Sequence, residues 1–585
     1  MSKAPTTLRA SLDYDPVPLK FGTSGRRGLV ADLTQLEVYL NALAELKYLQ
    51  SLPRSEGGIG RGEAFYFACD LRPSSSQIVT DQGRLRGGLA QAIAQAIADA
   101  GMKPVFLGRI PTPALANYAL GQIRGSMMVT GSHIPFDRNG YKTNTACGEL
   151  LKRDEAPIQA QVEQVRGWLY GQASAGSLFN SGGMFKAGPG ELPPATAEAS
   201  DAFLRRYTEF FAGRTLQGMR LLVYQHSAVG RDFLVELLRK FGAEVIPAGR
   251  SEVFVPIDTE AIDAEQLGII EALAVAAWKQ HGPIDAVLSV DGDSDRPLIL
   301  GVEPAESVTS PCQVHFFGGD LVGMIVAEYL QADAVVVPIS CNDALDRGPL
   351  KEVVEPKTRI GSPFVIAGMQ AASRRGCQVV CGWEANGGFL LGSTLRRAGR
   401  TLRALPTRDA FLPILAVLLR ARAAAVSVTA LFERLPRRFS RAALLKNFPR
   451  ATSQQIVARF TPADEQLKEV AFGEATIWGR DAAGQELALT AASVAALKVI
   501  RASLEKYFTR QLGFEPVIRV NYTDGVRIYF ANGDVAHVRP SGNAEELRIY
   551  AVADTQSRAD AIARMSVAEP DGILRQLEIF LKLNL

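Results

Sequence analysis

Three aspartates alternate along a short segment that follows an apolar stretch. Asp291, Asp293 and Asp295 come directly after the predicted strand AVLSV, and carboxylates at this spacing can converge on one hard cation such as Mg²⁺ or Ca²⁺. An EF-hand is excluded, because Arg296 and Val302 stand where that loop needs Gly and Glu. Three clustered carboxylates repel one another without a cation, so a metal site is favoured over a solvated turn. The adjoining Arg296 indicates that an anion also binds there.

A serine follows glycine at the end of a second apolar stretch. Ser132 lies between Gly131 and His133, after the predicted strand SMMVT, and an exposed hydroxyl on a tight turn is a potential nucleophile. The G-x-S-x-G elbow is excluded because Ile134 occupies its last position, so Ser-His-Asp acyl transfer has little support. A plain polar turn remains open on local grounds.

Two more loops carry groups that suit a sugar phosphate. Glu384 and Asn386 lie among glycines and could bind sugar hydroxyls, although an ordinary turn fits equally well. The segment Arg539-Pro540-Ser541-Gly542-Asn543, with Arg548 on the next strand, could form a phosphate nest or a structural turn. The chain has no Gly-Lys dipeptide and no G-x-G-x-x-G, which excludes the usual ATP and dinucleotide loops.

The elements that must position these loops alternate between strand and helix. A strand–helix–strand order is predicted at 64–107, 219–246 and 333–381. In the first, a helix from Asp81 would carry the apolar stripe Leu85, Leu89, Ile93 and Ile97. After Arg437, helical segments are expected first, followed by strands at 517–520, 526–530 and 535–538.

The predicted fold class is α/β, with three similar mixed α/β domains and a smaller C-terminal α+β domain around a central cleft. The expected ranges are 1–195 for a phosphoserine-bearing domain, 196–305 for a metal-binding domain, 306–430 for a sugar-recognition domain and 431–585 for a phosphate-binding domain. Residues 51–63, 171–194 and part of 437–500 are predicted to be insertions or loops, without an assigned task.

Composition excludes several classes of protein. With 64 Lys and Arg against 61 Asp and Glu in 585 residues, the net charge of +3 disfavours nucleic-acid binding by a basic surface. Six scattered cysteines without a CxxC pair disfavour a disulfide framework or a zinc site. The most apolar run, 411–419, is shorter than a membrane span, and the N-terminus lacks the apolar core of a secretory signal. We therefore expect a cytoplasmic protein whose partners are small molecules, with neither nucleic acid nor membrane; its oligomeric state is not predicted.

Taken together, the loops resemble those of the α-D-phosphohexomutase family, which includes phosphoglucomutases and phosphomannomutases. The resemblance begins at 21–28 (FGTSGRRG) and continues at 70–75 (DLRPSS) and 111–113 (PTP). The Ser132, Asp291, Glu384 and Arg539 loops then follow in the family's order, so the resemblance runs from about residue 20 to residue 550.

The resemblance implies a role for each matching residue. Ser132 would be the phosphoserine, and one of its phosphate oxygens would bind Mg²⁺ together with Asp291, Asp293 and Asp295. Arg27, His133 and Lys142 would flank it, with Lys142 as the proton-transfer group and Arg27 stabilising charge. Substrate would be held by residues of the other loops: Arg296, Glu384, Asn386, Arg539, Ser541, Gly542, Asn543 and Arg548.

The implied activity is the interconversion of hexose 1-phosphate and hexose 6-phosphate through a hexose 1,6-bisphosphate intermediate, which would also act as activator. Three departures from common family motifs look most like bacterial phosphomannomutases: TGSHIP for TASHNP, Asn386 and Gly388 for Ser and His, and Asn543 for Thr. Mannose phosphate is therefore favoured. A phosphoglucomutase of the same mechanism, a catalytically silent sugar-phosphate-binding protein and a metal-dependent phosphatase remain as alternatives.

Overall fold

The first unit of the molecule is a mixed sheet with helices packed on it. The structure, a computed structural model, describes residues 6–22, 24–188, 190–260, 262–305, 310–474, 476–542 and 545–583. The elements of the first unit are α1 (Leu8–Ser11), β1 (Lys20–Phe21), β2 (Arg26–Leu29), α2 (Gln35–Ser51), β3 (Ala64–Cys69), α3 (Pro73–Ser76), β4 (Ile78–Asp81), β5 (Arg84–Gly87), α4 (Leu89–Asp99), β6 (Lys103–Arg109), α5 (Thr112–Gly121), β7 (Ser126–Val129), β8 (Arg138–Thr145), β9 (Gly148–Glu149) and α6 (Lys152–Gly171).

The second and third units repeat the alternation of strand and helix. The second comprises α7 (Glu198–Phe210), β10 (Arg220–His226), α8 (Arg231–Lys240), β11 (Glu244–Arg250), α9 (Ala264–His281), β12 (Ala286–Val290), β13 (Pro297–Pro304) and β14 (Cys312–Phe316). The third comprises α10 (Gly319–Leu330), β15 (Ala334–Val336), α11 (Ser362–Arg374), β16 (Val380–Trp383), β17 (Phe389–Leu391), β18 (Leu395–Arg397), β19 (Arg400–Leu402), β20 (Leu405–Asp409), α12 (Phe411–Ala424) and α13 (Val428–Phe432).

The fourth unit is built on an eight-stranded antiparallel sheet. Its elements are β21 (Phe439–Lys446), α14 (Arg450–Arg459), β22 (Glu469–Phe472), β23 (Ile477–Arg480), β24 (Glu486–Leu487), α15 (Ala491–Glu505), β25 (Val517–Asn521), β26 (Val526–Phe530), β27 (Val535–Pro540), β28 (Glu546–Ala553), α16 (Gln556–Val567) and α17 (Ile573–Leu583). The expectation that helices come first was wrong, since β21 opens the unit and pairs with β28 along its whole length.

The first three units share one strand order. In the first, β6, β3 and β7 are parallel neighbours and β8 runs antiparallel beside β7. In the second, β11, β10 and β12 are parallel and β13 is antiparallel. In the third, β15 and β16 are parallel, β17 is antiparallel, and the segment 354–358 makes parallel bridges beside β15. The prediction of three similar α/β units with an additional C-terminal sheet is confirmed.

Apolar burial joins the first three units more closely than the fourth. One core cluster extends from Ala68 in the first unit to Leu435 after the third, and α12 lies almost wholly inside it. The main core of the fourth unit, from Leu445 to Leu577, is a separate cluster. Within the described ranges, no helix is both long and apolar enough to cross a membrane.

Several local expectations need correction or detail. The helix predicted from Asp81 begins at Leu89, because Gly87 and Gly88 adopt φ values of 84° and 62°, and Leu85 is exposed on β5. The stretch 51–63 is a mostly exposed turn that buries Ile59. The described residues of 171–194 take part in two isolated bridges, at Ala173 and between Phe179 and Phe185, and in no strand. Within 437–500, the strands β22, β23 and β24 extend one edge of the eight-stranded sheet.

Candidate active site

Three of the four chemistry-bearing loops occupy the same position in their units. Residues 130–137 connect β7 to β8, residues 291–296 connect β12 to β13, and residues 384–388 connect β16 to β17. Each loop therefore follows the parallel strand that lies beside the antiparallel strand of its unit. It lies at the carboxyl end of that parallel strand, where α/β folds bind ligands. The loops face the fourth unit across a cavity of about 500 Å³, whose lining includes His133, Arg296, Glu384, Asn386, Arg539, Ser541, Gly542 and Arg548.

Ser132 is buried in a left-handed backbone conformation. Its φ is 55°, an unfavourable value for a residue with a side chain. Its hydroxyl donates to Asp291 Oδ2 at 2.7 Å, and its amide donates to Thr130 Oγ1 at 2.7 Å. The serine hydroxyl therefore points at the aspartate loop of the second unit.

The motif at 70–75 holds the serine loop in this shape. Asp70 accepts from the Thr130 hydroxyl at 2.8 Å and from the Gly131 amide at 3.3 Å. Arg72 donates to the carbonyl oxygens of Ser132 and Pro135, as well as to those of Ile134 and Arg138. Both Asp70 and Arg72 are buried, so packing fixes their orientation.

The three aspartates form a cluster suited to a cation. One carboxylate oxygen from each of Asp291, Asp293 and Asp295 lies within 4.8 Å of the others, and all three residues are buried. Lys142 Nζ lies 2.7 Å from Asp293 Oδ2 and 2.5 Å from Asp295 Oδ2, and the Thr112 hydroxyl donates to Asp293 Oδ2 at 2.5 Å. The Oδ1 atoms of Asp293 and Asp295 are buried without a hydrogen-bond partner. These orphaned oxygens fit a hard divalent cation.

Electrostatics distinguishes the three carboxyl groups. Burial, together with repulsion from Asp293 and Asp295, holds the pKa of Asp291 well above its ordinary value. Burial acts in the same direction on Asp293 and Asp295, but nearby cations outweigh it and lower their pKa values: chiefly Lys142 for Asp293 and Arg408 for Asp295. Buried basic side chains thus offset part of the negative charge of the three carboxyl groups.

Arg27 and His133 lie beside this cluster. The Arg27 guanidinium donates to the carbonyl oxygens of Arg26 and Tyr141 at 2.9 and 3.4 Å, and burial lowers its pKa to about 10. His133 Nδ1 lies 3.4 Å from Ser132 Oγ. Burial and the neighbouring Arg296 hold the pKa of His133 well below its usual value, so the ring is neutral near pH 7.

The Glu384 loop contacts the aspartate loop through an arginine. Glu384 Oε2 accepts from Arg408 Nη1 at 2.9 Å, and Arg408 Nε donates to Asp295 Oδ2 at 3.0 Å. Asn386 uses its side-chain oxygen to accept from the Gly388 amide at 2.9 Å, which shapes the loop. The Asn386 side chain thus serves partly as a turn residue, while both predicted sugar ligands line the cavity.

The two predicted phosphate arginines have carboxylate partners. Arg539 Nε lies 3.2 Å from Asp524 Oδ1. Arg548 lies 2.8 Å from Glu260, 3.0 Å from Glu546 and 3.5 Å from Asp258. Arg296 Nη1 also lies 3.9 Å from Asp258. Ser541 and Gly542 line the same cavity, whereas Asn543 lies outside the described residues.

Three residues of the site were missed by sequence reasoning. Arg408 is the penultimate residue of β20, and Asp258 and Glu260 lie in the loop between β11 and α9. None belongs to a recognisable motif. The only local signal was a charged residue at the end of an apolar strand in RALPTRDAF, and sequence spacing offered no partner for it.

Comparison with known proteins agrees with this geometry. Models of the phosphoglucomutase/phosphomannomutase family match residues 18–166 (alpha/beta/alpha domain I), 318–439 (alpha/beta/alpha domain III) and 485–569 (C-terminal domain). The chain is 36% identical to a phosphomannomutase of Sinorhizobium fredii, over 94% of this chain and 98% of that one. It is 33% identical to a phosphomannomutase of Salmonella muenchen, over 92% and 93%.

A solved structure shares the fold. A phosphoglucomutase/phosphomannomutase family protein from Burkholderia thailandensis superposes with a TM-score of 0.56 at 17% identity, over 96% of each chain. The sequence relatives extend over the whole set of loops described above, from the serine to the distal arginines. The resemblance seen in the sequence is confirmed, and the chain belongs to the phosphoglucomutase/phosphomannomutase family.

Proposed function

We propose that this hexose-phosphate mutase interconverts mannose 1-phosphate and mannose 6-phosphate through a phosphorylated Ser132. The observation that carries the proposal is the pairing of the Ser132 hydroxyl with Asp291 inside a three-carboxylate cluster. The cavity beside it is lined by Arg539 and Arg548, which supply a second anion site. A mutase needs both sites, because one phosphate is transferred while the other holds the sugar.

The proposed reaction has two phosphoryl transfers. In the first, the phosphorus of phospho-Ser132 bonds to O6 of mannose 1-phosphate as its bond to Ser132 Oγ breaks, which leaves mannose 1,6-bisphosphate and a free serine. The intermediate then turns around, and its 1-phosphate returns to Ser132 to release mannose 6-phosphate. Lys142 is our candidate for exchanging the hydroxyl proton, and Arg27 for stabilising charge on the transferring group.

Asp291, Asp293 and Asp295 would hold Mg²⁺, together with an oxygen of the Ser132 phosphate. The two orphaned carboxylate oxygens and the all-oxygen donor set support this assignment. When bound, the ion would neutralise charge on the transferring phosphoryl group. Arg296, buried at the end of the same loop, adds a fixed positive charge.

The remaining predicted residues would hold the sugar phosphate in either orientation. Arg539, Ser541, Gly542, Asn543 and Arg548 would bind the phosphate that does not react. Glu384 and Asn386 would bind sugar hydroxyls, and the Glu384 oxygen that does not contact Arg408 is placed to accept from one. The same phosphate-binding residues would then bind either phosphate of the bisphosphate, depending on its orientation.

Mannose is favoured over glucose by sequence similarity. Both relatives described above are named phosphomannomutases and cover more than nine-tenths of this chain. A phosphoglucomutase of the same mechanism remains the second candidate, because the matching family models cover both activities. Hexose 1,6-bisphosphate is the proposed activator, since it phosphorylates the free serine.

A direct assay tests this proposal. Purified protein would be incubated with mannose 1-phosphate or glucose 1-phosphate, Mg²⁺ and a hexose 1,6-bisphosphate, and the 6-phosphate product measured. We expect a higher kcat/KM with mannose 1-phosphate, loss of activity in Ser132→Ala, and a phosphate on Ser132 by mass spectrometry. Ser126→Ala, on the preceding strand, is the matched control.

The outcomes separate the alternatives. A preference for glucose 1-phosphate would identify a phosphoglucomutase, and release of free phosphate would identify a phosphatase. Sugar-phosphate binding without turnover would identify a silent binding protein. Full activity in Ser132→Ala would contradict the phosphoserine assignment.

A further inference from the structure

Gly388 in the sugar loop has no room for a side chain. A Cβ atom built there would lie 2.3 Å from Cδ and 2.7 Å from Cγ of Arg408. Non-bonded carbon atoms are normally about 3.5 Å or more apart. A side chain at 388 and Arg408 in its present position therefore exclude each other. The stem of Arg408 fills the space that a histidine at 388 would need.

The guanidinium of Arg408 connects three loops of the site. Its Nε donates to Asp295 Oδ2 at 3.0 Å, its Nη1 to Glu384 Oε2 at 2.9 Å and its Nη2 to the Ser24 hydroxyl at 3.0 Å. These partners belong to the aspartate loop, the sugar loop and the N-terminal FGTSG motif. The three nitrogen atoms of the Arg408 guanidinium thus donate to three different segments of the chain.

Burial and the hydrogen bonds of the next residue hold Arg408 in place. Arg408 is 3% exposed and precedes Asp409, whose carboxylate accepts from the amides of Phe411 and Leu412 at the start of α12 and from the Tyr207 hydroxyl. The chain on either side of Arg408 is thereby anchored in the apolar core that joins the first three units. The guanidinium cannot relax away from its partners without disturbing that anchor.

We propose that Arg408 is a positioning residue for phosphoryl transfer, made possible by the absence of a side chain at Gly388. It orients Asp295 in the aspartate loop and Glu384 in the sugar loop, and so fixes the position of one carboxylate relative to the other. Arg408 contacts carboxylates from two of the candidate functional loops and a hydroxyl from a third segment. The inference rests on the proposed function for its catalytic part only.

The activity test compares Arg408→Ala and Arg408→Lys with the wild type. We expect kcat to fall about 100-fold in Arg408→Ala, while KM for the hexose 1-phosphate changes less than about threefold, because the distal phosphate grip is untouched. Arg408→Lys keeps the charge but cannot reach all three partners, so a fall in kcat of about tenfold is expected. Arg403→Ala, at an exposed arginine just before β20, is the matched control.

The packing test is a double-mutant cycle. Gly388→Ala should lower kcat and the unfolding temperature in the wild-type background, and should lower both much less in the Arg408→Ala background, where Asn386 Oδ1, 3.0 Å from the built Cβ, is the close neighbour that remains. Gly167→Ala, at a helical glycine with nothing near its Cβ position, controls for the substitution itself.

The outcomes judge each part separately. A kcat within threefold of the wild-type value in Arg408→Ala would overturn the positioning role. So would a loss of kcat/KM that comes from a higher KM alone. Additive effects of the two substitutions would overturn the exclusion between Arg408 and a side chain at 388. If the wild type has no mutase activity, the proposed function fails, and the unfolding temperatures of the cycle still decide the packing claim. If Arg408→Ala does not fold, the unfolding temperature of Gly388→Ala alone decides the packing claim: no decrease relative to the wild type would overturn it.

Discussion

Ser132 carries local strain that its surroundings must support. A residue with a side chain at φ 55° is disfavoured by an energy on the order of 1 kcal/mol, and such residues persist where the neighbouring structure over-determines them. Here Asp70, Thr130 and Arg72 bind the loop on both sides of the serine. In this backbone conformation the Ser132 hydroxyl donates to Asp291.

Gly131 shows why this loop departs from the common alanine. A Cβ at this position would lie 2.5 Å from Nε of Arg72, whose guanidinium is buried and already holds four carbonyl oxygens. We expect Gly131→Ala to displace Arg72, to lower kcat at least tenfold and to lower the unfolding temperature by a few degrees. The mutase assay and thermal unfolding measure both, with Gly167→Ala as control. Wild-type activity in Gly131→Ala would show that the loop does not depend on this packing.

Lys142 supplies positive charge to the aspartate cluster when no cation is bound. It contacts Asp293 and Asp295, so Lys142→Met would leave buried carboxylates facing one another. We expect a lower unfolding temperature without Mg²⁺ and a Mg²⁺-induced rise about twice that of the wild type, because the ion then relieves more repulsion. Thermal unfolding with and without Mg²⁺ measures this. Lys152→Met, which removes an ion pair with Glu155 on α6, is the control, and equal Mg²⁺ effects in all three proteins would refute the idea.

At the scale of elements, the site arises from repetition. The loops that carry Ser132, the three aspartates and Glu384 each connect a parallel strand to the antiparallel strand beside it in their unit. Equivalent connections end at the same side of each sheet, so packing three such units together brings three different chemistries to one cleft. The motif PTP at the start of α5 strengthens this arrangement, because Thr112 binds both the backbone and the side chain of Asp293.

The loop between β11 and α9 holds the distal arginine in the absence of substrate. Glu260 lies 2.8 Å from Arg548, and burial raises the pKa of Glu260 above its ordinary value. If Arg548 binds the non-reacting phosphate as proposed, that phosphate must compete with this carboxylate for the guanidinium. We expect Glu260→Gln to lower KM for the hexose phosphate about three- to tenfold, measured by steady-state kinetics.

A neighbouring glutamate controls for this substitution. Glu252→Gln removes an exposed carboxylate that pairs with Arg231, away from the cavity, and should leave KM unchanged. A higher KM in Glu260→Gln would mean that Glu260 orients Arg548 for phosphate instead of competing with it.

At the scale of the whole molecule, the fourth unit is joined to the others mainly by polar contacts. Arg438 pairs with Asp343 and Asp554, Arg527 donates to the Cys341 carbonyl, and the Ile360 amide donates to Asp524. Its main apolar core is separate from the core shared by the first three units. Interfaces of this kind permit relative domain motion, which suits a cleft that must admit and release substrate.

Two buried groups should give stability opposite dependences on pH. Burial lowers the pKa of His226 to about 4, against 6.5 ordinarily, while its Nε2 lies 2.7 Å from the Val290 carbonyl. The unfolded chain therefore binds more protons between pH 6.5 and 4. This contribution to stability, on the order of 3 kcal/mol, is present above pH 6.5 and lost as the pH falls toward 4.

Asp320 acts in the other direction. Burial raises its pKa to about 6, although the amides of Asn342 and Leu321 donate to it. The folded state then binds more protons between pH 4 and 6, so stability decreases as the pH rises through that window. We expect His226→Gln to make the unfolding temperature fall less steeply on acidification, and Asp320→Asn to make it fall more steeply. Slopes unchanged from the wild type would show that neither group governs this range.

The sequence by itself determined the fold class and the family, and it indicated most of the candidate site residues, because the patterns that carry them are local. Alternating strands and helices are visible as apolar periodicity, and the serine, the three aspartates and the sugar and phosphate loops each carry their chemistry within a few adjacent residues. Boundaries were less accurate where glycine conformation decides, as at Gly87 and Gly88 before α4, or where a strand is only partly apolar, as in β21.

Only the tertiary structure decided which distant residues complete the site. Arg408 contacts Ser24, 384 positions earlier in the chain, and Arg548 contacts Glu260, 288 positions earlier. No local pattern specifies such pairs, because they depend on how separately formed units pack and on space left elsewhere. Gly388 illustrates this. The sequence shows only that glycine stands where the family commonly has histidine, whereas the folded molecule shows that the Arg408 side chain occupies the space next to Gly388.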